Sequence, residues 1–313
     1  MTAKKILVTG GAGYIGSVLV PMLLGKGHEV TVLDNFMYKQ TSLLDCCYHE
    51  GLTIVNGDVR NAELVKELLK TPDAILPLAC LTGAPLCAKD PIGAQSINFD
   101  AIKNIEKTRS KNQIMIFPTT NSGYGVGEKG VFCTEETPLR PVSLYGKYKV
   151  EIENHLLASD NCMTYRFATV FGASPRMRLD LLVNDFTYRA VYDRFLILFE
   201  AHFKRNYLHV RDAARAFIHG LENFEAMKGE PYNVGLSEAN LSKGELCEEI
   251  KKLLPDFYFS EAEIGEDVDK RDYEVSNAKI EATGFKTENS LSFGLQELIK
   301  GFQIIKRTEY ANI

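Results

Sequence analysis

The sequence predicts an α/β fold, a doubly wound parallel sheet with a smaller mixed C-terminal lobe. Three observations carry this expectation: short apolar runs alternate with amphipathic segments through the first half, a glycine-rich turn follows the first run, and the rhythm changes near residue 172. The first strand is Ile6–Val8, and a helix follows near 14–26. Val30–Leu33 is the second strand, ending at Asp34, and Thr53–Val55 is the third, followed by a helix near 61–70. Ala74–Leu76 and Ile114–Phe117 supply the fourth and fifth strands, with helices near 91–109 and 143–158 after them. Runs this short and this apolar suit strands covered by helices on both faces. Beyond residue 172 come arginine-rich loops, an apolar run at Phe195–Phe199, and helices near 211–226, 242–254 and 290–306. The division expected is 1–171 for a dinucleotide-binding part that includes the 143–158 helix. Residues 172–313 would form the smaller lobe, interleaved with the last strands of the sheet.

Composition narrows the function classes. The 313 residues are 45% hydrophobic and 25% charged, the balance of a chain with a packed core rather than a disordered or fibrous one. The Phe195–Phe199 run ends at Glu200, far short of the ~20 apolar residues of a membrane span. The opening Met1–Lys5 runs straight into a strand and a glycine turn without the pattern of a secretion signal, so a cytoplasmic protein is expected. A net charge of −5 without a basic stretch argues against a nucleic-acid surface. Seven cysteines with no C-x-x-C and six scattered histidines predict reduced thiols and no metal centre.

Gly10-Gly11-Ala12-Gly13-Tyr14-Ile15-Gly16 places a G-x-G-x-x-G between strand and helix. There the glycines let the backbone approach a pyrophosphate, and the helix N-terminus favours its charge, which makes the strand arrangement Rossmann-like. Asp34, about 20 residues on, is placed to accept both hydroxyls of a ribose and to repel a 2′-phosphate, so NAD is expected over NADP. Asp58-Val59 after the third strand and Leu78-Ala79-Cys80 after the fourth lie at strand C-termini, where ligands of open α/β sheets bind.

Tyr145 and Lys149 are four residues apart on one helix face. With 14 tyrosines and 23 lysines in the chain, about one such pair arises by chance, so context decides. That context is Thr119-Thr120, just past the fifth strand at the same sheet edge. Lys149 and an oxidised nicotinamide would both favour phenolate and lower the Tyr145 pKa, fitting Tyr145 to take a proton from a substrate hydroxyl.

With these residues, the stretch Thr119-Thr120 to Tyr124-Gly125, Arg166-Phe167-Ala168-Thr169-Val170-Phe171-Gly172, Arg205 to Asp212, Tyr232-Asn233-Val234-Gly235 and Lys270-Arg271-Asp272-Tyr273, nearly the whole chain resembles the extended short-chain dehydrogenases/reductases acting on nucleotide sugars. The resemblance implies a catalytic set of Thr120, Tyr145 and Lys149. It implies an NAD site of Gly10, Gly13, Tyr14, Ile15, Gly16, Asp34, Asn35, Asp58, Val59, Leu78, Ala79, Cys80 and Phe167, with Tyr145 and Lys149. The sugar nucleotide would meet Thr82, Ser122, Arg178, Asn184, Arg205 and Arg271. Asn121-Ser122 stands where 4,6-dehydratases have acids, and no cysteine lies between Thr119 and Gly130, where members epimerising C3 or C5 have one. Chemistry at C4 alone remains, as a 4-dehydrogenase or a 4-epimerase. Thr169 departs from an asparagine common in the family. The segment Pro175–Phe186 is similar, less specifically, to a bacterial capsule branch oxidising C4 of GDP-D-glycero-D-manno-heptose. The family also implies a homodimer built by pairing helices 91–109 and 143–158 into a four-helix bundle. Ile92, Ile97, Ile102, Ile105, Val150, Ile152, Leu156 and Leu157 would supply its apolar positions.

Overall fold

A computed structural model describes residues 2–262 and 271–305. Seven strands form one parallel sheet: β1 (Lys5–Thr9), β2 (Glu29–Asp34), β3 (Leu52–Asn56), β4 (Ala74–Pro77), β5 (Ile114–Thr120), and, across the short β6 (Phe132–Cys133), β7 (Cys162–Phe167) and β11 (Pro231–Val234). Their spatial order is β11-β7-β5-β4-β1-β2-β3. The order reverses between β1 and β4, so the crevice beyond their C-terminal ends is the natural ligand position of a doubly wound sheet.

The strand sequences show why the sheet is covered on both sides. Ile6 and Val8 of β1 belong to an apolar cluster with Val18, Leu19 and Leu23 of helix α1 (Gly16–Gly25), whereas Leu7 belongs to a second cluster with Ile75, Met115 and Phe117. Alternate residues of one strand therefore fill two cores. The second core is closed by α2 (Ala62–Leu68), followed by α3 (Ala84–Lys89), α4 (Pro91–Gln95), α5 (Ala101–Thr108) and α6 (Leu144–Leu157). The expected 91–109 helix is interrupted by one wide π turn at Ser96–Asp100. Within it Asn98 turns its amide to the backbone N–H and C=O of Leu81 at 2.8 Å each, which fixes the chain just after β4.

The smaller lobe is mixed, as expected. It contains β8 (Thr169–Phe171), β9 (Phe195–Leu198), β10 (Lys204–His209), β12 (Asn240–Ser242), β13 (Tyr258–Glu261) and β14 (Glu274–Val275). β10 pairs with β8 and β12, β9 with β13, and β6 with β14. Helices α7 (Leu182–Tyr192), α8 (Val210–Glu222), α9 (Phe224–Met227), α10 (Lys243–Leu253), α11 (Ala278–Ala282) and α12 (Leu291–Gly301) complete the chain, α8 packing beside α1 on the main sheet. Of the apolar positions expected to pair two copies, Ile97, Ile102, Ile105, Ile152 and Leu156 are buried within the chain itself. Ile92 is left 83% exposed, with half-buried Val150 and Leu157. No helix among the described residues is long and apolar enough to cross a membrane, and no cluster of metal-ligating side chains occurs among them.

Candidate active site

A cleft of about 300 Å³ lies over the C-terminal ends of β1, β2, β4, β5 and β7. At its floor Gly10 turns the chain out of β1 with φ +69°, its N–H donating to the Leu33 carbonyl at 2.7 Å. A β-carbon on Gly10 would stand 2.5 Å from the Ala79 nitrogen. Helix α1 then begins without a side-chain cap at Ile15 and without an acidic residue in its first turn, whereas Asn61, Ser143, Ser242 and Ser290 cap α2, α6, α10 and α12. An uncapped N-terminus at the cleft is suited to an anion such as a pyrophosphate.

Asp34 ends β2 with one carboxylate oxygen accepting from the Ala12 N–H at 3.0 Å and the other from the Phe36 N–H and the Gln40 amide. Burial raises its pKa, partly offset by those donors. Asp58 is held by Arg60, which depresses its pKa to about 2, and Asn35 donates to it at 3.3 Å. Gly10, Gly13, Tyr14, Ile15, Gly16, Asp34, Asn35, Asp58, Val59, Leu78, Ala79, Cys80 and Phe167 all line the cleft. This donor and acceptor set fits a dinucleotide: glycine turn and uncapped helix for the pyrophosphate, Asp34 for a ribose.

Thr120, Tyr145 and Lys149 line the same cleft. Ser143 caps α6 through the Gly146 N–H at 3.1 Å and so sets where the Tyr145 turn starts. One turn on, the Lys149 ammonium donates to the Pro118 carbonyl at 2.8 Å and lies 4.3 Å from the Phe117 ring centroid. Its pKa is lowered by burial. The Thr120 and Ser122 hydroxyls lie 2.7 Å apart. Within the protein, burial holds the Tyr145 pKa above its ordinary value, with Arg178 and Arg271 pulling the other way. The ammonium is 5.9 Å from the Tyr145 ring centroid and its bond goes to Pro118.

The residues expected to meet a sugar nucleotide divide. Thr82, Arg178 and Arg271 line the cleft, Arg178 paired with Asp180. Ser122, Asn184 and Arg205 are not on its wall. Ser122 is buried, its hydroxyl turned to Thr120. Asn184 lies behind the wall, where it accepts from the Gly172 N–H and donates to the Tyr14 hydroxyl and the Arg178 carbonyl, which occupies its amide. Arg205 is 3% exposed and packs on the Tyr273 ring, and it is Tyr273 that reaches the cleft. Lys270 lies outside the described residues. Sequence reasoning missed Tyr38 and Arg176, which line the cleft near Asp34 with the guanidinium 4.5 Å from the Tyr38 ring centroid. Nothing in a turn tyrosine signals this partner, since a loop 138 residues later brings it.

Fold and cleft together define a dinucleotide-binding α/β protein. The chain belongs to the NAD dependent epimerase/dehydratase family, whose pattern matches residues 6–235, the span of the whole central sheet. NAD is its cofactor. It is similar to a UDP-N-acetyl-alpha-D-glucosaminuronate decarboxylase of Bacillus cytotoxicus, 29% identical over 80% of each chain. It is also similar to a UDP-glucose 4-epimerase of Corynebacterium glutamicum, 25% identical over 79% of this chain and 80% of that one. The crystal structure of a Thermus thermophilus UDP-glucose 4-epimerase in complex with NAD superposes with a TM-score of 0.81 at 23% identity, covering 96% of this chain and all of the other. At that identity the likeness speaks for the fold.

Proposed function

We propose that this NAD-dependent enzyme oxidises C4 of a nucleotide diphosphate sugar, GDP-D-glycero-D-manno-heptose, to a 4-keto sugar used in bacterial surface polysaccharide. What supports C4 oxidation is that Thr120, Tyr145 and Lys149 line the same cleft as Arg178 and Arg271. Thr120 would accept or donate at the hydroxyl to be oxidised and hold it toward Tyr145. Tyr145 would take its proton, with Lys149 keeping the local charge positive. NAD, when bound, supplies the hydride acceptor and a cationic ring that favours phenolate. The two guanidinium groups suit the oxygens of a diphosphate. Beside Thr120 there is no acid to expel water: Asn121 follows it, and the Ser122 hydroxyl is tied back to Thr120. The heptose and its guanine nucleotide rest on the likeness of the Pro175–Phe186 segment.

A 4-epimerase is the second reading, favoured by the relatives named as UDP-glucose 4-epimerases, and it uses the same residues. Single-turnover mixing with GDP-heptose and UDP-sugar candidates separates the two, followed by NADH absorbance and by NMR of the sugar. A 4-dehydrogenase accumulates NADH and a ketone. Conversion to a C4 epimer with no ketone would overturn the dehydrogenase reading.

A further inference from the structure

We infer that Glu153 is a positioning residue that registers the Tyr145/Lys149 helix on the strand carrying Thr120, with Arg166 as its charge partner. The inference rests on the reading of Thr120, Tyr145 and Lys149 as the reacting set. These helix residues and Glu153 follow at i, i+4 and i+8, so they share one face of α6. Lys149 donates to the Pro118 carbonyl at 2.8 Å, and one turn on Glu153 accepts from the Thr119 hydroxyl at 2.7 Å. Successive helical turns thus grip successive residues of β5, which fixes both the rotation and the sliding of α6 immediately beside Thr120.

The carboxylate also holds the neighbouring strand. Arg166 of β7 donates to its Oε1 through Nε at 2.8 Å and approaches it through a second guanidinium nitrogen at 2.7 Å, while the Thr164 hydroxyl donates to its Oε2 at 3.2 Å. In the sheet Thr119 stands opposite Arg166, and Thr120 opposite Phe167. Glu153 therefore ties Thr119, which lines the cleft beside Thr120, to Arg166 across the sheet. Arg166 carries the tie onward, donating to the Tyr124 hydroxyl at 3.0 Å, which donates to Asn233 Oδ1 at 2.7 Å. The loop after Thr120 and strand β11 are joined in this way.

Stability alone does not call for this arrangement. The ion pair is almost fully enclosed, with side-chain exposures of 6% for Arg166 and 1% for Glu153. Enclosed pairs of this kind are often replaced by apolar residues without loss, because desolvation offsets their attraction. Ile152 and Leu156 already pack α6 on the sheet. Four donor contacts from two strands use up the lone-pair directions of one carboxylate and leave it a single geometry.

The test uses NAD-loaded protein. Glu153→Gln would leave the Arg166 charge unpaired, so Glu153→Gln/Arg166→Met removes both charges together, and Thr119→Val keeps the ion pair while removing the hydroxyl that joins Glu153 to β5, along with its 3.3 Å bond to the Tyr165 carbonyl. Three quantities are read: the thermal midpoint, kcat and KM with the nucleotide sugar, and the titration of the Tyr145 phenol by ultraviolet difference against Tyr145→Phe. The double variant is expected to keep a near-wild-type midpoint and KM, to lose roughly 100-fold in kcat, the scale of a small misplacement of reacting groups, and to titrate Tyr145 at higher pH. Thr119→Val is expected to repeat the kcat loss and the titration shift, and it carries the test should the double variant not fold. Wild-type kcat and titration in the variants would overturn the inference and leave Glu153 a packing residue. If the wild-type protein turns over none of the sugars, the functional reading falls, and the titration alone decides: a shift upholds the positioning role, an unchanged midpoint overturns it.

Discussion

Replacing Gly10 by alanine tests the cofactor cradle with a magnitude set by the structure. Its φ of +69° costs an alanine about 1–2 kcal/mol. The added β-carbon would also lie 2.5 Å from the Ala79 nitrogen, 2.7 Å from the Ala79 Cα and 2.8 Å from the Leu78 carbonyl carbon. These are backbone atoms that cannot rotate aside, so overpacking adds about 1–3 kcal/mol. The sum, about 2–5 kcal/mol, is a large part of a typical domain's stability and lowers the melting midpoint by roughly 4–20 °C. Relief by shifting either the Gly10 turn or Leu78–Cys80 displaces the floor of the cleft, so calorimetric titration should show NAD affinity falling at least ~10-fold, a change of about 1.4 kcal/mol. Gly27→Ala is the control: its φ is +82°, but nothing lies within 4 Å of the new carbon, so it pays only the conformational cost and keeps NAD affinity. If Gly10→Ala matches Gly27→Ala in both midpoint and NAD affinity, the close approach at Ala79 is not what the glycine serves.

Asp34→Ala removes the acceptor at the end of β2 and should weaken NAD binding while narrowing the gap to NADP; unchanged calorimetric affinities for both would reduce Asp34 to a turn residue. Tyr145→Phe should leave NAD affinity intact and lower turnover at least ~100-fold, and wild-type-like turnover would reject Tyr145 as the base. Burial raises the Tyr145 pKa and a bound oxidised nicotinamide would lower it, so the phenolate fraction grows with pH up to the phenol's pKa in the NAD complex. The kcat/KM for oxidation should therefore climb toward alkaline pH, by up to about tenfold per unit below that pKa, and a flat profile from about pH 6 to 9 would contradict this.

The first five strands and their helices were legible because each carries an apolar run of the right length next to a turn signal. β7 was harder to read: Thr164 and Arg166 break its apolar pattern, yet every residue of it is buried, because the Glu153 carboxylate supplies their partners from a helix. The apolar run Phe195–Phe199 carries no such partner signal: its strand forms part of a two-stranded pair with Phe195 and Ile197 about half exposed. In the site, the glycine turn, Asp34 and the Tyr/Lys pair were visible as local spacing. Arg176 against Tyr38, Tyr273 standing between Arg205 and the cleft, and the Phe36 and Gln40 bonds to Asp34 depend on tertiary contacts or turn geometry that no spacing encodes.

The late arrival of β11 in the main sheet bears on how the chain is made. During synthesis β7 emerges 64 residues before Pro231 reaches it, and until then it is an edge with unpaired backbone groups on one side and Met163, Tyr165 and Phe167 on its faces. Such an edge invites pairing with another nascent copy. A fragment cut at residue 171 should therefore be prone to aggregation even though it holds the glycine turn, the Tyr/Lys helix and six of the seven strands.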